Sequence, residues 1–212
     1  KEGMHFRAWD TVFRMPVLGR HNVSNALPVI IVADWLGILP NQTAERLSNY
    51  QGIAQRLQVR RFGSITVIDD TFNANPDSME AGIDAMMTVP ATRHVAILGA
   101  MLGLGAGSDM LHRRVGMAAA RVGVECVLAV GRETVPLAEG ASRAAAGCSV
   151  GHYFSKSALK LRLRSLIQPG DVVFVKGSHD SHMDEVVENL REVFAPVGGK
   201  RSGSGVFLRS NS

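Results

Sequence analysis

Aromatic side chains are scarce in this chain, at 6% of 212 residues. That shortage argues against a stacking platform for single-stranded nucleic acid. Charge of one sign is lacking as well: 23 basic residues stand against 19 acidic ones, a formal net charge of +4. The basic residues are dispersed, apart from Arg60-Arg61 and the run Lys160, Arg162, Arg164. A nucleic-acid footprint needs a concentrated stripe, so no nucleic-acid partner is expected. The small excess suits a solvated face or an anionic ligand. Cysteine is nearly absent. Cys126 and Cys148 do not make a disulfide framework, and Cys126 sits in an apolar run, as a buried small hydrophobe would. A reducing, cytoplasmic compartment is the default expectation. Long apolar runs are missing too. The most apolar stretch, Ala26 to Leu39, carries the charge of Asp34 and falls short of the roughly 20 residues a bilayer span needs. It reads as a buried helix, and neither a leader nor membrane insertion is expected. No Gly-x-x-x-x-Gly-Lys-Ser/Thr motif occurs, so the chain cannot by itself be a complete P-loop nucleotidase.

Apolar residues are plentiful. At 46% hydrophobic the chain can supply a real core, which excludes a disordered protein. Its length allows one large domain, or one domain plus part of another. Glycine, at 22 residues, exceeds the average of roughly 7%. It suits tight turns and loops where the backbone approaches a ligand, as in nucleotide-binding α/β proteins.

Residues 5–18 read as a strand ending in a loop, followed by the apolar helix, in which Pro28 predicts an irregular start. Leu36-Gly37 ends that helix, and Pro40-Asn41 opens a polar one reaching about Tyr50. Gln58 to Asp70 reads as a hairpin turning at Gly63-Ser64. Asn75 is placed to cap a helix with Pro76 at its first position. Short apolar strands then alternate with helices. Strands fall at Val95–Leu98, Val127–Val130, weakly at Tyr153-Phe154, and at 171–176. Helices are predicted from Ser108 as cap to about Val122, over 133–146, from Ser155 or Ser157 to Ile167, and over Met183–Val193. Val206-Phe207-Leu208 reads as an edge strand in a Gly/Ser-rich tail. This alternation predicts an α/β fold with a mostly parallel sheet flanked by helices. Ligands in such sheets sit beyond the carboxyl ends of the strands. Polar or glycine-rich residues follow strands at Asp69-Asp70-Thr71, Gly99-Ala100-Met101, Gly131-Arg132 and Lys176-Gly177-Ser178.

The densest polar segment is Asp69-Asp70-Thr71-Phe72-Asn73-Ala74-Asn75-Pro76-Asp77-Ser78. An aspartate at a strand end can bind ribose hydroxyls or a cation, and the asparagines can present amides to a substrate. Equally, the segment reads as an Asx-rich helix entry. Asn22 and Asn25 share one face of a helical turn and suit a base edge, or plain capping. Lys176-Gly177-Ser178 suits an anion, or a lysine snorkelling out of the sheet end. His179 and His182 have the spacing of a chelating pair, but the glutamate of the usual zinc motif is absent between them and no third ligand is evident. No metal site is expected there.

Together, Gly19-Arg20-His21-Asn22-Val23-Ser24-Asn25-Ala26-Leu27, the Asp69 to Met79 segment, Leu98 to Gly105 with Leu111-His112, Val130-Gly131, and Val175-Lys176-Gly177-Ser178 with Met183 and Val186 resemble the Mur ligases. The Asp-Asp-Thr-Phe-Asn-Ala-Asn-Pro-Asp-Ser segment resembles the branch that adds D-alanyl-D-alanine to UDP-N-acetylmuramoyl-tripeptide. The resemblance implies that residues 1–57 end the family's central ATPase domain, that 58–200 form its carboxy-terminal Rossmann-like domain, and that 201–212 are a tail. It implies ATP and Mg2+, with the magnesium ligands mainly in the part of the central domain not present here. By the same resemblance Asn22 and Asn25 meet adenine, Arg56 the phosphates and Asp70 the ribose. Asn73, Asn75, Lys176 and Ser178 face the cleft and the incoming dipeptide. The chain departs from the family pattern at Ala100 and Gly103, where carboxylates are usual, and at His179, where arginine is common. A degenerate, non-catalytic binding module and a ligase with another amine acceptor therefore remain alternatives.

Overall fold

The computed structural model describes residues 3–144 and 146–195. The tail and the Val206–Leu208 strand expected from sequence lie outside the described residues. The amino-terminal part is a small body. Strands β1 (Met4–Ala8) and β2 (Thr11–Met15) pair antiparallel, so the first segment is a hairpin and not the single strand expected. The turn runs through Trp9 at φ 50°, a residue with none of the usual turn chemistry. Helix α1 (Arg20–Trp35) and α2 (Pro40–Ser48) pack on this hairpin through Phe13, Met15, Ala26 and Ile30.

Two expectations about α1 are corrected. Pro28 lies in its interior, and the helix begins regularly at Arg20. Proline there costs one helix hydrogen bond, but Pro28 and Ser24 are both exposed, so the freed Ser24 carbonyl meets solvent. Nor is the helix buried. Only Ala26 and Ile30 are enclosed, while Ile31 is 60% and Trp35 83% exposed. A helix apolar on every side does not declare which stripe faces the core. Here the hairpin and α2 cover one side of it.

The second body is a six-stranded sheet of β3 (Gln58–Phe62), β4 (Ile65–Asp70), β5 (Arg93–Leu98), β6 (Cys126–Val130), β7 (Ser149–Tyr153) and β8 (Asp171–Lys176), in the order β3-β4-β8-β5-β6-β7. Only the β3–β4 hairpin is antiparallel. Helices α3 (Pro76–Met87), α4 (Ser108–Arg121) and α5 (Val135–Ala144) cover one face, meeting Ile68, Ala96, Val127 and Phe174. Helices α6 (Lys156–Lys160), α7 (Leu163–Leu166) and α8 (Asp184–Phe194) cover the other, meeting Val67, Val95, Leu128 and Val173. Burial on both faces explains why these strands are apolar without alternation.

Two local expectations fail. Ser155 does cap α6, through the Ala158 N–H, but the helix breaks before Leu163, where the Arg162 N–H bonds back to Leu159 in a tighter turn. Ser108 is the first residue of α4 and does not cap it. A short turn, Gly105–Gly107, leads into the helix.

Candidate functional site

Parallel register sets the site. Asp70 ends β4 directly opposite Lys176, which ends β8. The Lys176 ammonium donates to Asp70 Oδ2 at 2.6 Å and to the Asn73 carbonyl at 2.7 Å. The Leu57 N–H donates to Asp70 Oδ1 at 3.1 Å. Lys176 is only 3% exposed and Asp70 9%, so each charge depends on the other. Burial pushes the Asp70 carboxyl above its ordinary range, opposed by the Lys176 ammonium and by the Leu57 hydrogen bond.

The neighbouring carboxylate does different work. Asp69 Oδ1 accepts from the Thr71 hydroxyl at 2.7 Å and from the Thr71 N–H at 3.3 Å, and Oδ2 faces Arg60 at 3.4 Å. It turns the chain out of β4. Asn75 caps α3 by accepting from the Ser78 N–H at 2.8 Å, and the Ser78 hydroxyl accepts the Asn75 N–H at 3.0 Å. Asn73 lies exposed on the same loop, its amide oxygen accepting the Ala74 N–H.

Ser178 ties three loops together. Its hydroxyl accepts the Leu102 N–H at 2.8 Å and reaches the Ala74 carbonyl at 3.4 Å, while its own N–H donates to Ala100 O. The loop after β5 is fixed from below by His112, a buried imidazole. Nε2 accepts the Met101 N–H at 3.0 Å, and Nδ1 donates to the Ser108 carbonyl at 2.9 Å. A ring that accepts at one nitrogen and donates at the other is neutral. Ala100 is buried beneath this loop, and Gly103 stands at φ +76° with open space around it.

A cavity of about 770 Å³ opens beside Asp70 and Lys176 and spans the two bodies. Asn22, Asn25, Arg56 and His21 line it as well, with an apolar wall that includes Val29, Tyr50 and Ile53. Its size lies within the usual range for small-ligand sites. Asn22 donates to Leu18 O at 2.6 Å. A larger cleft, about 1010 Å³, runs along α3 past Thr66 and Asp84. It opens beside the amino-terminal end of β4 and not at the carboxyl ends of the parallel strands, so the smaller cavity is the candidate site.

The structure thus gathers Asn22, Asn25, Arg56, Asp70 and Lys176 around one cavity, and leaves Asn73, Asn75 and Ser178 on its neighbouring loops. Sequence reasoning passed over the roles of His21, which lines the cavity together with Asp70, and of Leu57, which acts through its backbone. Neither carries a signature beyond membership of its segment. His179 and His182 have ring centroids 6.3 Å apart. Among the described residues no group of three or more His, Cys, Asp or Glu side chains is arranged to hold a metal ion.

β8 sits between β4 and β5, and the helices beside these strands cover opposite faces of the sheet. The carboxyl ends of β4 and β8 therefore flank a topological switch point, where doubly wound α/β proteins bind their ligands. This is the class that fold and site define. The sequence matches the family described as Mur ligase, glutamate ligase domain, over residues 55–179, and the chain belongs to the Mur ligase family. The UDP-N-acetylmuramoyl-tripeptide–D-alanyl-D-alanine ligase of Bacillus subtilis (strain 168) is 30% identical over 196 residues, covering 91% of this chain and 43% of that protein. The ligase of the same name from Escherichia coli (strain K12) is 35% identical over 182 residues, covering 84% and 38%. A crystal structure of MurF from Acinetobacter baumannii aligns with a TM-score of 0.77 at 29% identity, covering 86% and 40%. The chain spans about two fifths of the length of these relatives.

Proposed function

We propose that this chain is the carboxy-terminal part of an ATP-dependent ligase that adds D-alanyl-D-alanine to UDP-N-acetylmuramoyl-tripeptide in cytoplasmic peptidoglycan synthesis. Residues 1–57 are then the end of a central ATPase domain, and 58–200 the Rossmann-like domain that closes on it. One observation carries the reading: the cavity at the switch point is lined by Asn22, Asn25, Arg56 and Asp70 together. Two amides suit the edge of an adenine, a guanidinium suits phosphates, and a carboxylate at a strand end suits ribose hydroxyls.

In the reaction the tripeptide carboxylate attacks the γ-phosphorus of ATP and ADP leaves. The dipeptide amine then attacks the acyl phosphate carbon, phosphate departs, and the nitrogen gives up a proton to solvent to leave the neutral amide. This chain contributes positioning and electrostatics. Lys176 contributes by holding the Asp70 carboxylate and the Asn73 backbone in place. The exposed amides of Asn73 and Asn75 stand on the loop toward the dipeptide. Magnesium would screen the phosphate charge. Among the described residues no three or more His, Cys, Asp or Glu side chains are grouped to hold it, and its ligands would come mainly from the part of the central domain that this chain does not contain.

The test joins this chain behind the amino-terminal portion of the Bacillus subtilis relative. ADP release that depends on D-alanyl-D-alanine is expected, with Asp70→Asn raising the KM for ATP about ten-fold or more. A panel of other amines reads out the acceptor. Absence of any dipeptide-dependent release defeats the proposal.

A further inference from the structure

Arg56 is held in an unusual way. It sits between two non-glycine residues with left-handed backbone, Gln55 at φ 60° and Leu57 at φ 49°. Such conformations persist only where surroundings over-determine them. Here both flanks are pinned to the segment after β4: the Phe72 N–H donates to Gln55 O at 3.1 Å, and the Leu57 N–H to Asp70 Oδ1 at 3.1 Å. The Arg56 guanidinium then lies 4.1 Å from the centroid of the Phe72 ring. That is well inside the range of a cation–π contact.

The pairing leaves the cation available. No carboxylate stands within ion-pair distance of Arg56 among the described residues. A carboxylate partner would neutralise the guanidinium, whereas an aromatic face holds it without cancelling its charge. Arg56 also lines the cavity. Phe72 itself is 41% exposed, although it is large and apolar. Its other ring neighbour is His179, 6.1 Å away and tilted.

We infer that Phe72 is a positioning residue: its ring holds the Arg56 guanidinium, still fully charged, at the mouth of the cavity for the phosphates of a bound nucleotide. This rests on the nucleotide reading above and adds to it a residue that touches no ligand. The backbone bonds place Arg56, and the ring selects the direction in which its charge points.

The test is calorimetric titration of the protein joined to the amino-terminal portion of the Bacillus subtilis relative, without peptide substrates, with ATP and, separately, with adenosine. Adenosine reports the base and ribose contacts. The difference between the two ligands reports the phosphate contact. Arg56→Ala is expected to lower ATP affinity about ten-fold or more and to leave adenosine affinity unchanged. Phe72→Leu is expected to lower ATP affinity about two- to five-fold, again with adenosine unchanged, and Phe72→Tyr to restore it. The double variant Arg56→Ala/Phe72→Leu should bind ATP no worse than Arg56→Ala alone. General damage from the leucine would weaken both ligands and survive in the double variant, which would overturn the inference. So would a preference for ATP over adenosine that Arg56→Ala abolishes and Phe72→Leu leaves intact; the nucleotide reading would then stand without it. If Arg56→Ala leaves the affinity for both ligands unchanged in the joined protein, the phosphate reading and the inference fall together.

Discussion

Two buried charges dominate the candidate site at the scale of single residues. Removing one strands the other. Lys176→Met should therefore destabilise the chain by about 3–5 kcal/mol at neutral pH. The sign of the pH dependence follows from Asp70. Its carboxyl is already raised by burial, and without the ammonium it rises further. The folded variant then takes up a proton that the unfolded chain does not hold at the same pH. The penalty is greatest above the raised folded value and fades as pH falls through it toward the ordinary carboxylate range. Urea unfolding of wild type and variant at about pH 7 and about pH 4 should show the gap narrowing on the acid side. A gap that stays constant would mean that Asp70 does not titrate with Lys176. Sequence alone made both residues candidates, because each ends a strand in polar company. It did not pair them, since 106 positions separate them and only the register of β4 on β8 brings them opposite. His112 illustrates the same limit. A lone histidine in an amphipathic helix carries no mark that it accepts a hydrogen bond from a loop eleven residues earlier.

Among elements, the closest contact is between α4 and α5. Gly116 of α4 and Gly140 of α5 let the helix backbones touch. A methyl group at Gly116 would overlap the Leu137 carbonyl oxygen, and one at Gly140 the Arg113 carbonyl oxygen. Replacing a helical glycine by alanine ordinarily stabilises by about 0.5–1 kcal/mol. Here Gly116→Ala should instead cost about 1–3 kcal/mol, while Gly147→Ala, with nothing within 4 Å of its added methyl, stays near neutral. Thermal melts of the two variants decide it, and a stabilised Gly116→Ala would show that the helices part easily. Element types were legible because short apolar strands and capped helices carry local signals, such as Asn75 with Pro76. The hairpin at residues 4–15 was not, because its turn uses Trp9 and Asp10 and lacks the glycine or asparagine that normally announces one. The break between α6 and α7 was not legible either. Leu159 and Leu163, four apart and both buried, fit one continuous helix as well as two short ones.

The whole molecule shows an imbalance between its two bodies. The sheet is covered on both faces, whereas α1 turns Ile31, Val32 and Trp35 to solvent. If residues 1–57 are the end of a larger domain, that face has a partner in the complete enzyme. Ile31→Lys with Trp35→Glu should then change the stability of the 212-residue chain by no more than about 0.5 kcal/mol, as surface substitutions do. In the enzyme joined to the amino-terminal portion of the relative, the same pair should lower the melting temperature by several degrees. Equal effects in both proteins would refute the domain assignment. The sequence announced an apolar helix and stopped there, because the covering of such a helix is a property of its neighbours.

The Leu57 to Asp70 hydrogen bond has a consequence beyond anchoring. The same carboxylate that faces the cavity also receives the backbone of the junction between the two bodies. A ligand that draws on Asp70 therefore acts on this junction, and a change at the junction alters the ligand's hold. The two effects are equal by thermodynamic necessity. The angle between the bodies thus becomes a quantity that ligand affinity can gauge, and substitution at Gln55, which precedes the cavity-lining Arg56 and Leu57, becomes a dial on that angle.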